Sequence, residues 1–125
     1  PAFVTKDQKP FMSFGVMGGD FQPQGHVQIL MNMIDFGMNL QEAGDSPRFE
    51  HIGSSTVTGK LALGQGEILM ESGFDFEEIR KLMNMGHKVG FGGYYGGYQA
   101  IMYDAIKKVY FGASESRKDG QASGY

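Results

Sequence analysis

The stretch from Met12 to Gly37 leaves the chain little choice of local structure. Met12, Phe14 and Val16 alternate with Ser13, Gly15 and Met17, the period of a strand with one large-residue face and one close-packed face. The alternation runs into Gly18-Gly19-Asp20. After a Gln22-Pro23-Gln24-Gly25 connection, Val27, Leu30, Met31 and Ile34 recur at i, i+3, i+4 and i+7. That spacing predicts an amphipathic helix, with Gly37 placed where a left-handed cap would close it. Ile29, Met33 and Phe36 add apolar surface off the stripe, so the helix is expected to be covered on more than one side and to lie between layers.

Weaker signals follow. Asn39 and Glu42 have the spacing of a capping box and predict a short helix over residues 40–45, stopped by Pro47. Arg48 to Ile52, Ser55 to Thr58 and Glu67 to Met70 read as short strands between Gly- and Ser-containing turns. Asp75-Phe76-Glu77-Glu78 starts another helix, with Phe76, Ile79, Leu82 and Met83 on its apolar face and Gly86 at its end. His87 to Phe91, Tyr98 to Tyr103 and Val109 to Phe111 read as strands, the last two as a hairpin through Asp104 to Lys108. By composition alone Ser114 to Tyr125 is a loose, solvated end.

A length of 125 residues sets one compact unit as the default, and 41% hydrophobic content suffices for a core. The formal net charge of −3 arises from 14 acidic and 11 basic residues spread along the chain, which argues against a nucleic-acid partner. The most apolar run, Val27 to Met38, is interrupted by Gln28, Asn32 and Asp35 and is too short to span a bilayer, for which about 20 residues are needed. No cysteine is present, so there is neither a thiolate nucleophile nor a disulfide framework, and the compartment stays open. Pro1-Ala2-Phe3 carries no initiator methionine and no signal-peptide pattern and reads as a cut or processed end.

Gly18-Gly19, between strand and helix, is the first candidate for chemistry. Residues without Cβ can turn two backbone N–H groups toward one point and bind a developing oxyanion, although such a pair also serves as a plain turn. Asp20 could orient a polar ligand or cap its own turn. His26 could be a base or a polar first-turn residue. His51 and His87 share no metal-ligand spacing with it or with each other, so no metal site is expected. Glu77 and Glu78 suit the positive end of a helix dipole better than catalysis. The run Gly90 to Gly97 lacks the lysine and following helix of a phosphate loop. It is expected to be a flexible turn exposing Tyr94 and Tyr95, or to line a substrate pocket. Ser116, Arg117, Asp119 and Gly120 offer a hydrogen-bonding set in the tail. These residues by themselves do not assemble a nucleophile, a base and an orienting group.

Taken as a string, Phe14 to Asp20, Gln22 to Gln28, Asp35-Phe36-Gly37, Gln41-Glu42-Ala43 and Ser46 to Phe49 resemble, in order and spacing, consecutive blocks of gamma-glutamyltransferase (gamma-glutamyltranspeptidase) small subunits. The resemblance resumes at Gly86-His87, Gln99-Ala100-Ile101, Phe111 to Arg117, Asp119-Gly120 and Gly124-Tyr125. It covers nearly the whole chain and is least marked over Arg48 to Met70 and Gly90 to Gly97.

Several expectations follow from the resemblance. The fold is α+β, part of an αββα N-terminal-nucleophile hydrolase sandwich of layered helices and mainly antiparallel sheet, with residues 1–125 as the C-terminal portion of the small subunit, a single domain or half-domain. The precursor cleaves itself, and the new N-terminal threonine, upstream of the strand at Met12, is the nucleophile with its own α-amino group as base. Thr5 is no substitute, so the 125 residues alone are expected to be inactive. Gly18 and Gly19 inherit the oxyanion hole, and Asp20 a substrate contact. The implied partners are the large subunit and the upstream part of the small subunit, with a gamma-glutamyl or other amide substrate and no cofactor. Val16-Met17 stands where the glutathione-acting enzymes have Ser-Pro, which leaves the acyl donor open. A non-catalytic relative serving as a ligand-binding or association domain is the alternative, and unpaired sheet edges would favour a homo-oligomer.

Overall fold

The structure is a computed structural model and describes residues 1–53, 66–93 and 95–124. Along the chain lie β1 (Ala2–Lys6), β2 (Lys9–Met17), a 3-10 turn (Gly19–Phe21), α1 (Gln22–Ile34), α2 (Leu40–Asp45), β3 (Phe49–Ile52), β4 (Glu67–Met70), α3 (Phe76–Asn84), β5 (Lys88–Phe91), β6 (Gly97–Asp104) and β7 (Val109–Ser114). They divide into two compact units, Pro1–Ser46 with Gly96–Tyr125, and Pro47–Tyr95.

In the first unit an antiparallel sheet runs in the order β1-β2-β6-β7. The alternation at Met12, Phe14 and Val16 is the inner face of β2, and all three are buried. The register sets Phe14 beside Ala100 and Ala100 beside Ala113, with Val16 beside Tyr98, so one row of side chains crosses the sheet and meets Phe21, Ile29, Leu40 and Ala43 from the helices. Fully burying side chains of this kind contributes roughly 1.5–3 kcal/mol each. On the other face Phe3, Ile101 and Tyr110 stay exposed around an open hollow of about 490 Å³.

The strand β1 has no counterpart in the sequence expectations. It is an edge strand of five residues with a bulge at Val4/Thr5, reached from β2 through Asp7 and Gln8, both at positive φ. The tight hairpin uses the primed-turn geometry without the Asn-Gly or Asp-Gly signal that announces it.

Helix α1 starts at Gln22, earlier than its apolar stripe, because Pro23 fits the first turn, where its missing N–H costs nothing. Its inner face is also different from the one expected. Gly25, Gln28 and Ile29 are buried, whereas Val27, Met31 and Ile34 are 55%, 45% and 74% exposed. A Cβ on Gly25 would stand 2.8 Å from the Phe21 ring and 2.9 Å from the Val16 side chain, so contact is made where the helix is thinnest, and Asn32 donates to the Ala43 carbonyl at 3.2 Å. The capping box of α2 is present: the Asn39 carboxamide accepts from the N–H of Gln41 and Glu42, and the Asn39 N–H donates to the Glu42 carboxylate. The β6–β7 hairpin is also as expected, its turn held by N–H donation from Ile106 and Lys107 to the Asp104 carboxylate.

In the second unit β3 and β4 pair antiparallel and β4 and β5 parallel, with α3 as the connection between the parallel pair. The Asp75 carboxylate caps α3 by accepting from Glu77 and Glu78 N–H. Of the four apolar residues assigned to its inner face, Ile79 is buried, while Phe76 and Met83 are 66% and 53% exposed. The expected strand at Ser55 to Thr58 lies outside the described residues, as does Tyr94. Tyr95 is buried rather than displayed, with its hydroxyl donating to the Gly92 carbonyl and its own carbonyl accepting from the buried Arg48 guanidinium at 2.6 Å.

The start of the tail, Ser114 to Arg117, is not loose. Glu115 is buried, and Gln41 ties Ser114 in both directions, donating to its carbonyl at 2.8 Å and accepting its N–H at 3.2 Å. Composition misleads here because two opposite charges satisfy each other under cover.

Candidate active site

Where β2 ends, the backbone turns sharply. Gly18 has φ 147° and Gly19 φ 59°, conformations that favour glycine, and the turn continues directly into α1. The Gly18 carbonyl accepts from Phe21 N–H at 3.1 Å and the Gly19 carbonyl from Gln22 N–H, as in the first turn of a helix. The N–H groups of Gly18 and Gly19 have no acceptor among the described residues. Gly19 and Asp20 are exposed and Gly18 half-exposed, and nothing stands within 4 Å of a Cβ built on Gly19.

The turn is held from behind by the start of β6. Gly96, at φ 72°, approaches so closely that a Cβ on it would lie 2.0 Å from the Met17 carbonyl oxygen, and its Cα is 3.3 Å from the Cβ position of Gly18. The sequence expectations treated Gly96 as part of a flexible loop. The signal that could have separated it is its place immediately before the strand that pairs with β2.

His26 has a structural task. Beyond Phe14 the strand β1 has run out, and the Val16 N–H donates instead to His26 Nε2 at 3.1 Å, while the imidazole meets the Phe14 ring edge-on at 5.1 Å. Only the neutral ring can accept this bond, and burial pushes the His26 pKa below its ordinary value. The unfolded chain therefore binds the proton more readily than the folded one. The contribution of His26 is complete above about pH 6.5 and is lost as pH falls through the lowered folded-state value. Replacing His26 with leucine should cost about 1 kcal/mol at pH 7.5, seen as a lower urea midpoint. The gap to the wild type should narrow toward pH 5, and a gap independent of pH would contradict the assignment.

Of the other residues singled out from the sequence, Asp20 lies in the exposed first turn after Gly19, adjacent to the candidate N–H pair. Thr5 is in β1, paired with Pro10. His51 and His87, which no spacing linked, both line a hollow of about 300 Å³ in the second unit. Glu77 and Glu78 take the first turn of α3, where they pair with Arg80 and Lys81 at the surface. No cluster of three or more His, Asp or Glu that could hold a metal occurs among the described residues.

The chain has relatives among known proteins. The gamma-glutamyltranspeptidase family model matches residues 1–125. The chain is 35% identical over 129 residues to the glutathione hydrolase-like YwrD proenzyme of Bacillus subtilis (strain 168), covering 99% of this chain and 23% of that protein. It is similar to cephalosporin acylase from Bacillus halodurans, with a TM-score of 0.80 at 36% identity over 98% of this chain and 22% of the acylase. A mutant gamma-glutamyltranspeptidase of Helicobacter pylori superposes with a TM-score of 0.77 at 27% identity, covering 94% of this chain and 60% of that one. The α+β fold is thus that of the N-terminal-nucleophile hydrolase sandwich. The 125 residues span under a quarter of the YwrD-like proenzyme and of the acylase.

Proposed function

The chain belongs to the gamma-glutamyltranspeptidase family, and from that premise we propose that the complete protein cleaves an amide by acyl transfer, with Gly18 and Gly19 supplying the oxyanion hole. The observation that carries the reading is the turn after β2, where two consecutive N–H groups with no acceptor among the described residues are backed by the Gly96 backbone. A carbonyl attacked by an N-terminal threonine develops negative charge on oxygen, and preorganised N–H donors at that point are typically worth about 2.7–4 kcal/mol each. The threonine's own α-amino group takes the hydroxyl proton as the bond to carbon forms and returns it to the leaving amine. Water or a second amine then accepts the acyl group. Asp20, exposed beside the pair, is suited to a cationic or hydrogen-bonding group of the substrate.

In this reading the nucleophile comes from upstream of the strand at Met12, and the remaining segments of the precursor cover the apolar face formed by Phe3, Ile101 and Tyr110. An N-terminal-nucleophile sandwich stacks a second sheet on the first, and a face of this kind buries its apolar side chains only against such a layer. The test is to express the full-length gene product. It should split itself into two chains, the smaller beginning with threonine by N-terminal sequencing, and release chromophore from a gamma-glutamyl or other acyl anilide. Residues 1–125 alone should release none. An uncut, inactive full-length protein, or release by residues 1–125 alone, would overturn the reading.

A further inference from the structure

The tail carries a buried ionic clasp that the acyl-transfer chemistry does not use directly. The Glu115 side chain is 1% exposed. One of its oxygens, Oε2, accepts the Tyr98 N–H at 2.6 Å, and the other, Oε1, accepts from the Arg117 guanidinium at 2.8 Å and from the Arg117 N–H at 3.2 Å. Arg117 reaches on to the end of α2, donating to the Gly44 and Ser46 carbonyls, each at 2.9 Å. A carboxylate taken out of water is stable only when its oxygens are met by donors in this way.

Tyr98 is the point at which the clasp touches the sheet. It is fully buried, its hydroxyl donates to the Leu40 carbonyl at 3.0 Å, and its backbone pairs with Val16. With its N–H held by Glu115 and its ring held by α2, the residues just before it have little freedom, and those residues are Gly96 and Gly97. Gly97 pairs with Met17, and Gly96 lies against the Met17 carbonyl and Gly18. Two peptide units, Gly96–Gly97 and Gly97–Tyr98, therefore separate the N–H held by a buried carboxylate from the backbone that backs the candidate oxyanion hole.

We infer that Glu115 is a positioning residue for the Gly18–Gly19 turn, acting through the Tyr98 N–H and the Gly96–Gly97 backbone. This rests on the acyl-transfer reading above. The contacts fix the consequence, because a displacement of about 1 Å at an oxyanion donor can cost on the order of 100-fold in rate while leaving ground-state binding largely intact.

The test uses the full-length protein with Glu115→Gln, and with Asp75→Ala as a stability control whose lost cap lies in α3. Active sites are counted by covalent titration so that kcat refers to folded protein. Glu115→Gln should lower kcat on the anilide by about tenfold or more with KM within about threefold, and should speed amide hydrogen exchange in the segment 12–22. Asp75→Ala should lower Tm with kcat and that exchange unchanged. Should loss of the ion pair prevent folding, the apolar pair Glu115→Leu with Arg117→Met removes both charges and the Tyr98 acceptor, and should give the same loss. Unchanged exchange over 12–22 in the folded variant, or unchanged kcat per active site, overturns the inference. A wild-type protein with no amidase activity sinks the acyl-transfer reading instead, and the exchange measurement alone then decides whether Glu115 positions the turn.

Discussion

Gly96→Ala is expected to be among the most damaging single substitutions in the chain, lowering stability by about 3 kcal/mol or more and shifting the urea midpoint accordingly. Two independent effects add. The first is conformational: at φ 72° any L side chain crowds its own carbonyl, which costs roughly 1–2 kcal/mol. The second is steric, and here the obstacle is main chain. The new Cβ would stand 2.0 Å from the Met17 carbonyl oxygen and 2.9 Å from the Val16 side chain. A flexible side chain could swing away, but Met17 is the last residue of β2 and is paired in register with Gly97. Relief requires the two strand ends to separate, which also exposes Val16 and Tyr98, both fully buried. A midpoint within experimental error of the wild type would show that the strand ends are not held as closely as described.

How far the sequence foreshadowed this molecule depends on the reach of each signal. The capping box at Asn39 and the cap at Asp75 involve groups within three residues of each other, and both are present as expected. The β2 alternation also survives, because a period of two puts every second side chain on one face whatever covers it. Helix α1 shows the limit. Its apolar stripe identified the helix and misidentified its inner face, because contact with β2 is made through Gly25, which carries no hydropathy at all. Its outward stripe, Val27, Met31 and Ile34, is exposed, so cover on a second side, as expected of a helix between layers, is not found among the described residues. The tail failed for the opposite reason: Glu115 and Arg117 look solvated until each is seen to be the other's partner.

The candidate site was half legible. Gly18-Gly19 stood out as a glycine pair between strand and helix, and the family resemblance gave the pair a role that spacing alone left open. Nothing local marked the parts that hold it. Gly96 and Glu115 lie dozens of residues away in sequence and reach the turn only through the β2–β6 pairing. His26, which the sequence left as either a base or a polar first-turn residue, sits near the start of α1 and completes the hydrogen bonding of Val16 where β1 ends.

The role of the glycine pair can be read from the way kinetics respond to Gly18→Ala in the full-length protein. Gly18 is at φ 147°, where alanine is strained, and the added Cβ would lie 3.3 Å from Gly96 Cα and 3.4 Å from the Phe21 ring. The backbone must rotate to relieve this, which turns the Gly18 and Gly19 N–H groups away from their present directions. If they bind the oxyanion, the interaction lost exists only once the carbonyl has become tetrahedral, so kcat and kcat/KM should fall together by about 10²–10³ with KM little changed. A turn that merely linked β2 to α1 would respond differently. The strain would then appear as a lower Tm and a smaller fraction of active protein, while kcat per titrated site stayed at the wild-type value. A large loss of stability with undiminished kcat per site would therefore remove the oxyanion role from Gly18 and leave it as a structural turn.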